Sequence, residues 1–419
     1  QLAGRAPPAD DPAIRQSPHH ADYWLALAQA HQDCAQPELA LDVLRTASQA
    51  LPNAAELHLA LGEFYLAHNQ ATQALSSLRR AEKLAGSPLS ALRLGQALAH
   101  LGHNAEARQL LSGAVERPGA RQPEIWPELA HTYAQVLRTQ GDLALAVQMF
   151  TEVVNLHPGD AQVRLELAQA MVESGEQAAA QQAVQHLDQA LEMIAAPQGE
   201  PAQDGRAASP DGLLEARLRA SLAEACRIAG DLPRALENYR LVFDMPVSDS
   251  LSAYSKDYSR SRLAAGFGQV ALQLDQPPTA LAILKEAVRL DPGDLFLLRL
   301  LSEAYLACGL PGEAFETARS VLDRSPASLE NLNWFIDHGL RIEQTPVGAQ
   351  IPVHQHLIHA LDFASRLAPS RVDLLVRLGR MFGDNDHDIA LETFRRLAAA
   401  GDDLASLPAS DLYFAGKSL

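Results

Sequence analysis

The sequence predicts an all-α chain, a solenoid of about ten helix-turn-helix repeats. Three observations carry that prediction. Alanine and leucine dominate the 419 residues, aromatics make up only 5%, and β-branched residues are sparse, which favours helix over sheet. A pattern of small and large apolar residues returns about every 34 residues along most of the chain. Proline closes many copies of the pattern, and glycine often parts their two halves.

The copies follow in order. Residues 21–54 carry Trp24, Leu27, Ala28, His31, Ala40, Leu44, Ala47 and Pro52. The second copy repeats those offsets with Leu61, Gly62, Tyr65, Ala74, Leu78 and Ala81. Leu94, Gly95, Leu98, Gly102, Ala107, Leu111 and Ala114 make the third. Tyr133, Ala134, Leu137, Gly141, Ala146, Phe150, Val153 and Pro158 make the fourth. The fifth has Leu167, Ala168, Met171 and Gly175, then needs about three extra residues to reach Ala183, Leu187 and Ala190. After a break, Leu222, Ala223, Cys226, Gly230, Ala235, Tyr239 and Val242 form the sixth. Phe267, Gly268, Ala271, Ala280, Leu284, Ala287 and Pro292 form the seventh, and Leu301, Ser302, Tyr305, Gly309, Ala314, Ala318, Val321 and Pro326 the eighth. Two weaker copies follow: Leu332 and Phe335 with Leu357, Leu361, Ala364 and Pro369, then Leu375, Leu378, Phe382, Ala390, Phe394 and Leu397.

The spacing has a packing reason. Gly62, Ala28 and Ala134 are expected where a first helix approaches its second. Ala74, Ala40 and Ala146 are expected where that second helix meets its neighbours. Only small side chains allow so close an approach, and larger ones overpack at about 1–3 kcal/mol each. Gly141, Gly175, Gly230 and Gly309 suit a left-handed helix end. Pro52, Pro158, Pro292 and Pro326 stop the second helices. One such hairpin cannot bury its own apolar face, so stacking must do it.

Composition divides the chain further. Residues 1–20 open with "QLAGRAPPADDPAIRQSP", a linker-like segment that implies a removed signal or anchor, or a fragment boundary. Residues 21–195 form an N-terminal array and 212–400 a C-terminal one, parted by a Pro/Gly-rich insertion at 196–211. "MPVSDSLSAYSKDYSRS" at 245–261 lengthens the link into the seventh copy, and "RIEQTPVGAQIPVH" at 341–354 interrupts the ninth. Residues 401–419 are expected to be a capping segment or a tail.

This pattern resembles the tetratricopeptide repeat family, over most of residues 21–400. The period, the small residue after the first-helix Leu, the second-helix Ala and the closing Pro all match. The resemblance implies a right-handed solenoid whose first helices line a concave groove that accepts peptides or helices from partner proteins. At the groove-facing position it places Gln29, Glu63, Gln96, Gln135, Gln169, Glu224, Gln269 and Glu303, with Arg93, Arg138, Arg227, Arg262 and Arg299 beside them. Such amides and acids can hydrogen-bond an extended backbone, although any exposed helix face is polar. Some family members grip a C-terminal carboxylate with paired Lys and Asn. The first copy has Leu25 and Gln29 there, which argues against that clamp, and the asparagine ladders of a glycosyltransferase of the family are absent.

Charge narrows the partners. Against 34 Lys and Arg stand 51 Asp and Glu, a net charge of −17. That field disfavours nucleic acid and favours basic tails, basic helices or cationic surfaces. The cations are nearly all arginine, with Lys83, Lys256, Lys285 and Lys417 the exceptions, a bias that carries no functional argument by itself. Cys34, Cys226 and Cys308 are too few and too far apart for a disulfide framework. No apolar run is long enough to span a membrane.

Other motifs read as structure. "GFGQVA" at 266–271 matches a dinucleotide fingerprint but lies in a first helix, with Gly268 at the small-residue position. "DNDHD" places Asp384, Asp386 and Asp388 at calcium-loop spacing, yet Ile389 and Arg395 stand where that loop needs Gly and Glu. His354, His356 and His359 lack a fourth ligand at metal spacing. No cofactor, metal or catalytic set is predicted. The expected role is a non-catalytic protein-interaction scaffold. Two alternatives stay open: a structural subunit that self-assembles or joins a larger complex, and the regulatory or anchoring arm of a longer protein.

Overall fold

A computed structural model of the chain describes residues 19–195, 210–245 and 259–381, with 393, 395–397 and 399 beyond them. Its described residues form helices and turns, with no strand among them. The linker-like start, most of the insertion at 196–211, most of the 245–261 link, the Asp384–Asp388 motif and the 401–419 tail lie outside the described residues. The chain divides into two compact units, residues 1–203 and 204–419.

Among its described residues, unit 1 holds ten helices: α1 His19–Asp33, α2 Pro37–Ala50, α3 Ala55–Ala67, α4 Ala71–Ala85, α5 Pro88–His100, α6 Asn104–Val115, α7 Trp126–Thr139, α8 Leu143–Leu156, α9 Ala161–Glu173 and α10 Gln177–Ala195. Each odd helix pairs with the next as a hairpin, and each hairpin rests on the one before it; first helices also touch the following first helices. Unit 2 repeats the plan with α11 Pro210–Ala229, α12 Leu232–Asp244, α13 Arg260–Gln273, α14 Pro277–Leu290, α15 Leu295–Ala307, α16 Pro311–Arg324, α17 Leu329–Glu343, α18 Val353–Leu367 and α19 Val372–Met381.

Small residues form the notch between the two helices of a hairpin. A Cβ built on Gly95 would stand 2.6 Å from Leu111 Cδ2 and 2.8 Å from its Cγ, and Leu111 is fully buried. Gly62 faces Leu78, Gly268 faces Leu284 and Gly339 faces Leu357 in the same way. The second-helix alanines Ala40, Ala74, Ala107, Ala146 and Ala280 are all completely buried. "GFGQVA" therefore sits inside α13, and its Gly268 is a packing notch.

The helix ends follow local rules. α2, α8, α14 and α16 each stop two residues before Pro52, Pro158, Pro292 and Pro326. Turn glycines at 102, 141, 175, 230 and 309 have φ between +70° and +91°. Where glycine is missing, Ala35, Asn69 and Asp275 take the same left-handed conformation, at φ +56°, +57° and +55°. The fifth copy keeps a three-residue turn between α9 and α10, so its extra residues are absorbed inside the 19-residue α10. In the ninth copy the interruption becomes a short 3-10 turn, Gly348–Gln350, between α17 and α18.

Arginine pins the repeats together. Arg80 on α4 donates to the Pro52 carbonyl and to Asn53, and Arg324 on α16 donates to the Pro292 carbonyl. Arg117, just after α6, reaches the Ser87 carbonyl and pairs with Glu82 at 2.7 Å. Arg164, buried in α9, closes on the Pro158 carbonyl through Nε and Nη2 at 3.1 and 2.9 Å. A planar fork with several fixed donors suits these two-point contacts better than an ammonium does.

Candidate functional site

Gln29, Glu63, Gln96, Gln135 and Gln169 lie on α1, α3, α5, α7 and α9, the five first helices of unit 1. From α3 to α9 they join a chain of hydrogen bonds that runs from helix to helix. Arg93 on α5 donates through Nε to Glu63 on α3 at 2.8 Å and through Nη1 to Glu128 on α7 at 2.5 Å. Gln96 accepts from Arg93 at 3.2 Å and donates to the same Glu128 oxygen at 2.9 Å. The carboxylates of Glu63 and Glu128 are both about half exposed, with side chains 40% and 45% accessible.

The next link is deeper. Glu166 on α9 is buried and meets His131 Nε2 at 2.9 Å and Gln135 Nε2 at 3.0 Å, both from α7, and Gln162 Nε2 at 2.8 Å from its own helix. Burial alone would raise the Glu166 pKa. The hydrogen bonds and charge of His131, with the amides of Gln162 and Gln135, outweigh it and hold the carboxyl at about 2. Glu128 follows the same logic: burial opposes ionisation, but Gln96 and Arg93 bring its pKa below the usual value. Arg138 on α7 donates to Gln169 on α9 at 2.8 Å.

These bonds fix which way the amides face. Gln135 gives its Nε2 to Glu166, so the amide turns its Oε1 away from that bond on an exposed residue. Arg93 is one cation between two carboxylates. Donors of Arg93, Gln96, His131, Gln135 and Arg138 thus serve neighbouring helices, while the Glu63 and Glu128 carboxylates stay about half exposed. Gln29 stands apart from the chain: it is exposed and donates to Asp33 on its own helix at 2.8 Å.

Unit 2 carries the other predicted residues in a different pattern. Glu224 and Arg227 pair within α11 at 2.5 Å, and the buried Tyr239 on α12 donates to Glu224 at 2.8 Å. Burial again opposes the Glu224 charge, and Arg227 and Tyr239 bring its pKa down. Gln269 is part-buried on α13. On α15, Glu303 accepts from the Trp334 indole at 3.4 Å, and Arg299 reaches Glu330 on α17 at 2.7 Å while lying over the Trp334 ring. Arg262 is exposed near the start of α13. The three histidines of α18 do not converge. His354 meets Glu343 and the Met381 carbonyl, whereas His356 turns to the Pro352 carbonyl and the Phe315 ring.

Sequence reasoning missed the partners of this face. Glu128, His131, Gln162 and Glu166 complete the unit 1 chain, and none stands at the position read as groove-facing. Their separation from Glu63, Arg93 and Gln135, close to one repeat, is the signal that was available.

Two models of the tetratricopeptide repeat match the chain, one over residues 137–209 and the other over 59–123 and 266–328. No curated protein matches. Similar solved structures include PilF of Pseudomonas aeruginosa, at 19% identity over 57% of this chain and 94% of that one, with a TM-score of 0.41. A tetratricopeptide repeat protein from Parabacteroides merdae is 12% identical over 67% of this chain and 96% of that one, with a TM-score of 0.43. YrrB, described as a TPR protein with an unusual peptide-binding site, is 18% identical over 54% of this chain and 95% of that one, with a TM-score of 0.38. With repeat models matching in both units, and hairpins stacked in sequence order through the same small-residue notch, the chain carries tetratricopeptide repeats.

Proposed function

We propose that the chain is a non-catalytic scaffold whose unit 1 holds a partner protein on its first-helix face, as an extended, cationic segment rich in hydrogen-bond donors. The observation that carries this reading is the spent-donor chain from Glu63 to Gln169. Arg93, Gln96, His131, Gln135 and Arg138 serve neighbouring helices, and the half-exposed Glu63 and Glu128 with the Gln135 carbonyl are left to meet a ligand. A surface of fixed acceptors with excess negative charge is complementary to Lys, Arg and backbone N–H groups. The net charge of −17 supports the same partner class through long-range steering. A binding role fits the layout: among the described residues of this face, the titratable groups are spread over four helices and engaged with one another.

The test uses fluorescein-labelled Lys/Arg-rich and Asp/Glu-rich peptides of equal length, read by anisotropy at low and at physiological salt. The basic peptide is expected to bind, more weakly as salt rises. The Glu63→Gln/Glu128→Gln variant, which keeps the acceptors and removes the charge, is expected to lose about tenfold in affinity, or about 1.4 kcal/mol. Equal binding of both peptides, or an unchanged affinity in the variant, would overturn the assignment.

A further inference from the structure

Two interior positions of unit 2 break the repeat pattern, and they meet. The residue before the notch is apolar in the other copies: Leu27, Leu61, Leu94, Tyr133, Leu167, Leu222, Phe267 and Leu301. In α17 it is His338, beside the notch residue Gly339. The notch itself is Gly or Ala elsewhere, but on α15 it is Ser302, fully buried. Ser302 Oγ donates to the Ala314 carbonyl of α16 at 2.6 Å, and its lone pair lies 2.8 Å from His338 Nε2. With the hydroxyl proton committed to Ala314, Nε2 carries the imidazole proton and Nδ1 is bare. His338 is 2% exposed, and its Nδ1 has no hydrogen-bond partner.

We propose that the Ser302–His338 pair is an acid-sensitive latch, locking α15, α16 and α17 together while the imidazole is neutral and releasing them when it takes up a proton. A proton on Nδ1 would place a charge in the core with no acceptor to receive it. Among the described residues, no carboxylate acts on the ring to offset that charge. Arg341, on the same helix, is the charge that acts on the ring, and it repels. α15 meets the ring with Ser302, while its Arg299 and Glu303 are engaged with Glu330 and the Trp334 indole. α16 contributes the Ala314 carbonyl through Ser302, and on α18 His356 turns to Pro352 and Phe315. Burial, with Arg341 second, accordingly pushes the His338 pKa down to about 4. Because the folded value lies below the ordinary one, the latch is intact above about pH 6.5 and weakens as pH falls from there toward 4. This inference rests on the packing of unit 2 and is independent of the peptide reading of unit 1.

The stacked Trp334 ring, 5.0 Å from that of His338, supplies the reporter. Replacing Trp24 and Trp126, both in unit 1, by Phe leaves Trp334 as the sole tryptophan in the full chain. Urea unfolding followed by its emission is then compared at pH 7 and pH 5, with and without Ser302→Ala/His338→Leu, a variant that restores the pattern of the other copies. The unfolding constant is expected to rise about 20-fold more between those pH values with His338 than with the double variant. Equal pH dependence would overturn the latch. Should the double variant fail to fold, the His338 ring titration followed by NMR decides: a ring still neutral at pH 5 supports the latch, and a midpoint near 6.5 overturns it.

Discussion

Placing a methyl group in the notch tests the packing account at one contact. Gly95→Ala brings a Cβ to 2.6–3.1 Å from three carbons of Leu111, about 1 Å inside ordinary carbon contact. Leu111 is fully buried in α6 and cannot swing to solvent. The gain in helix propensity, about 1 kcal/mol, is outweighed by overpacking of up to about 3 kcal/mol, so a net loss of about 1–2 kcal/mol is expected. Leu111→Ala alone should cost about 2–5 kcal/mol through lost burial and a cavity. Combined, the two changes should not add: with Leu111 shortened, the new methyl fills part of the space, and the double variant should cost no more than Leu111→Ala alone. Urea unfolding read from Trp126, with Trp24 and Trp334 replaced by Phe, measures all corners of the cycle in unit 1. Additivity within about 0.5 kcal/mol would refute the notch.

Three further outcomes follow from the same contacts. Glu166→Gln should cost about 1–3 kcal/mol, because a neutral amide cannot accept from His131, Gln135 and Gln162 together. In the native chain Glu166, held at about 2, contributes stability to unit 1 that is present above about pH 4.5 and fades as pH falls toward 2, and the variant should lack this part of the acid profile. Arg93→Lys should cost about 1 kcal/mol in denaturant unfolding, since a single ammonium cannot hold Glu63, Gln96 and Glu128 as the fork does. Ala35→Gly should raise stability by about 0.5–1 kcal/mol by relieving the left-handed turn between α1 and α2, and a lower melting temperature would contradict it.

The hairpins were legible because their packing rule is local. Gly95 and Leu111 are 16 residues apart, as are Gly62 and Leu78, so one offset exposes every notch of that kind. Turns were legible where glycine marked them, as at Gly141, but Ala35, Asn69 and Asp275 adopt the same conformation without the cue. The face was half legible. Helix periodicity pointed to Gln96 and Gln135, but their carboxylate partners Glu128 and Glu166 come from the next helix, and only the stacking brings them in. Arginine looked like a compositional bias; Arg80, Arg117 and Arg324 instead tie second helices, or the turn after one, back to earlier inter-repeat turns. Ser302 reads in the sequence as one more small residue, and only the stacking brings it to His338, about one repeat away.

Sequential stacking is the claim on which the rest depends, and trimming the array by one hairpin tests it most directly. Removing residues 1–54 deletes α1 and α2, helices of 15 and 14 residues. In a stack each hairpin depends on its neighbours alone. Circular dichroism of the shortened chain should therefore lose only the signal of those 29 helical residues, with α3–α10 still folded and less stable. Loss of helix throughout unit 1 would mean that the hairpins share one indivisible core, and would contradict the account.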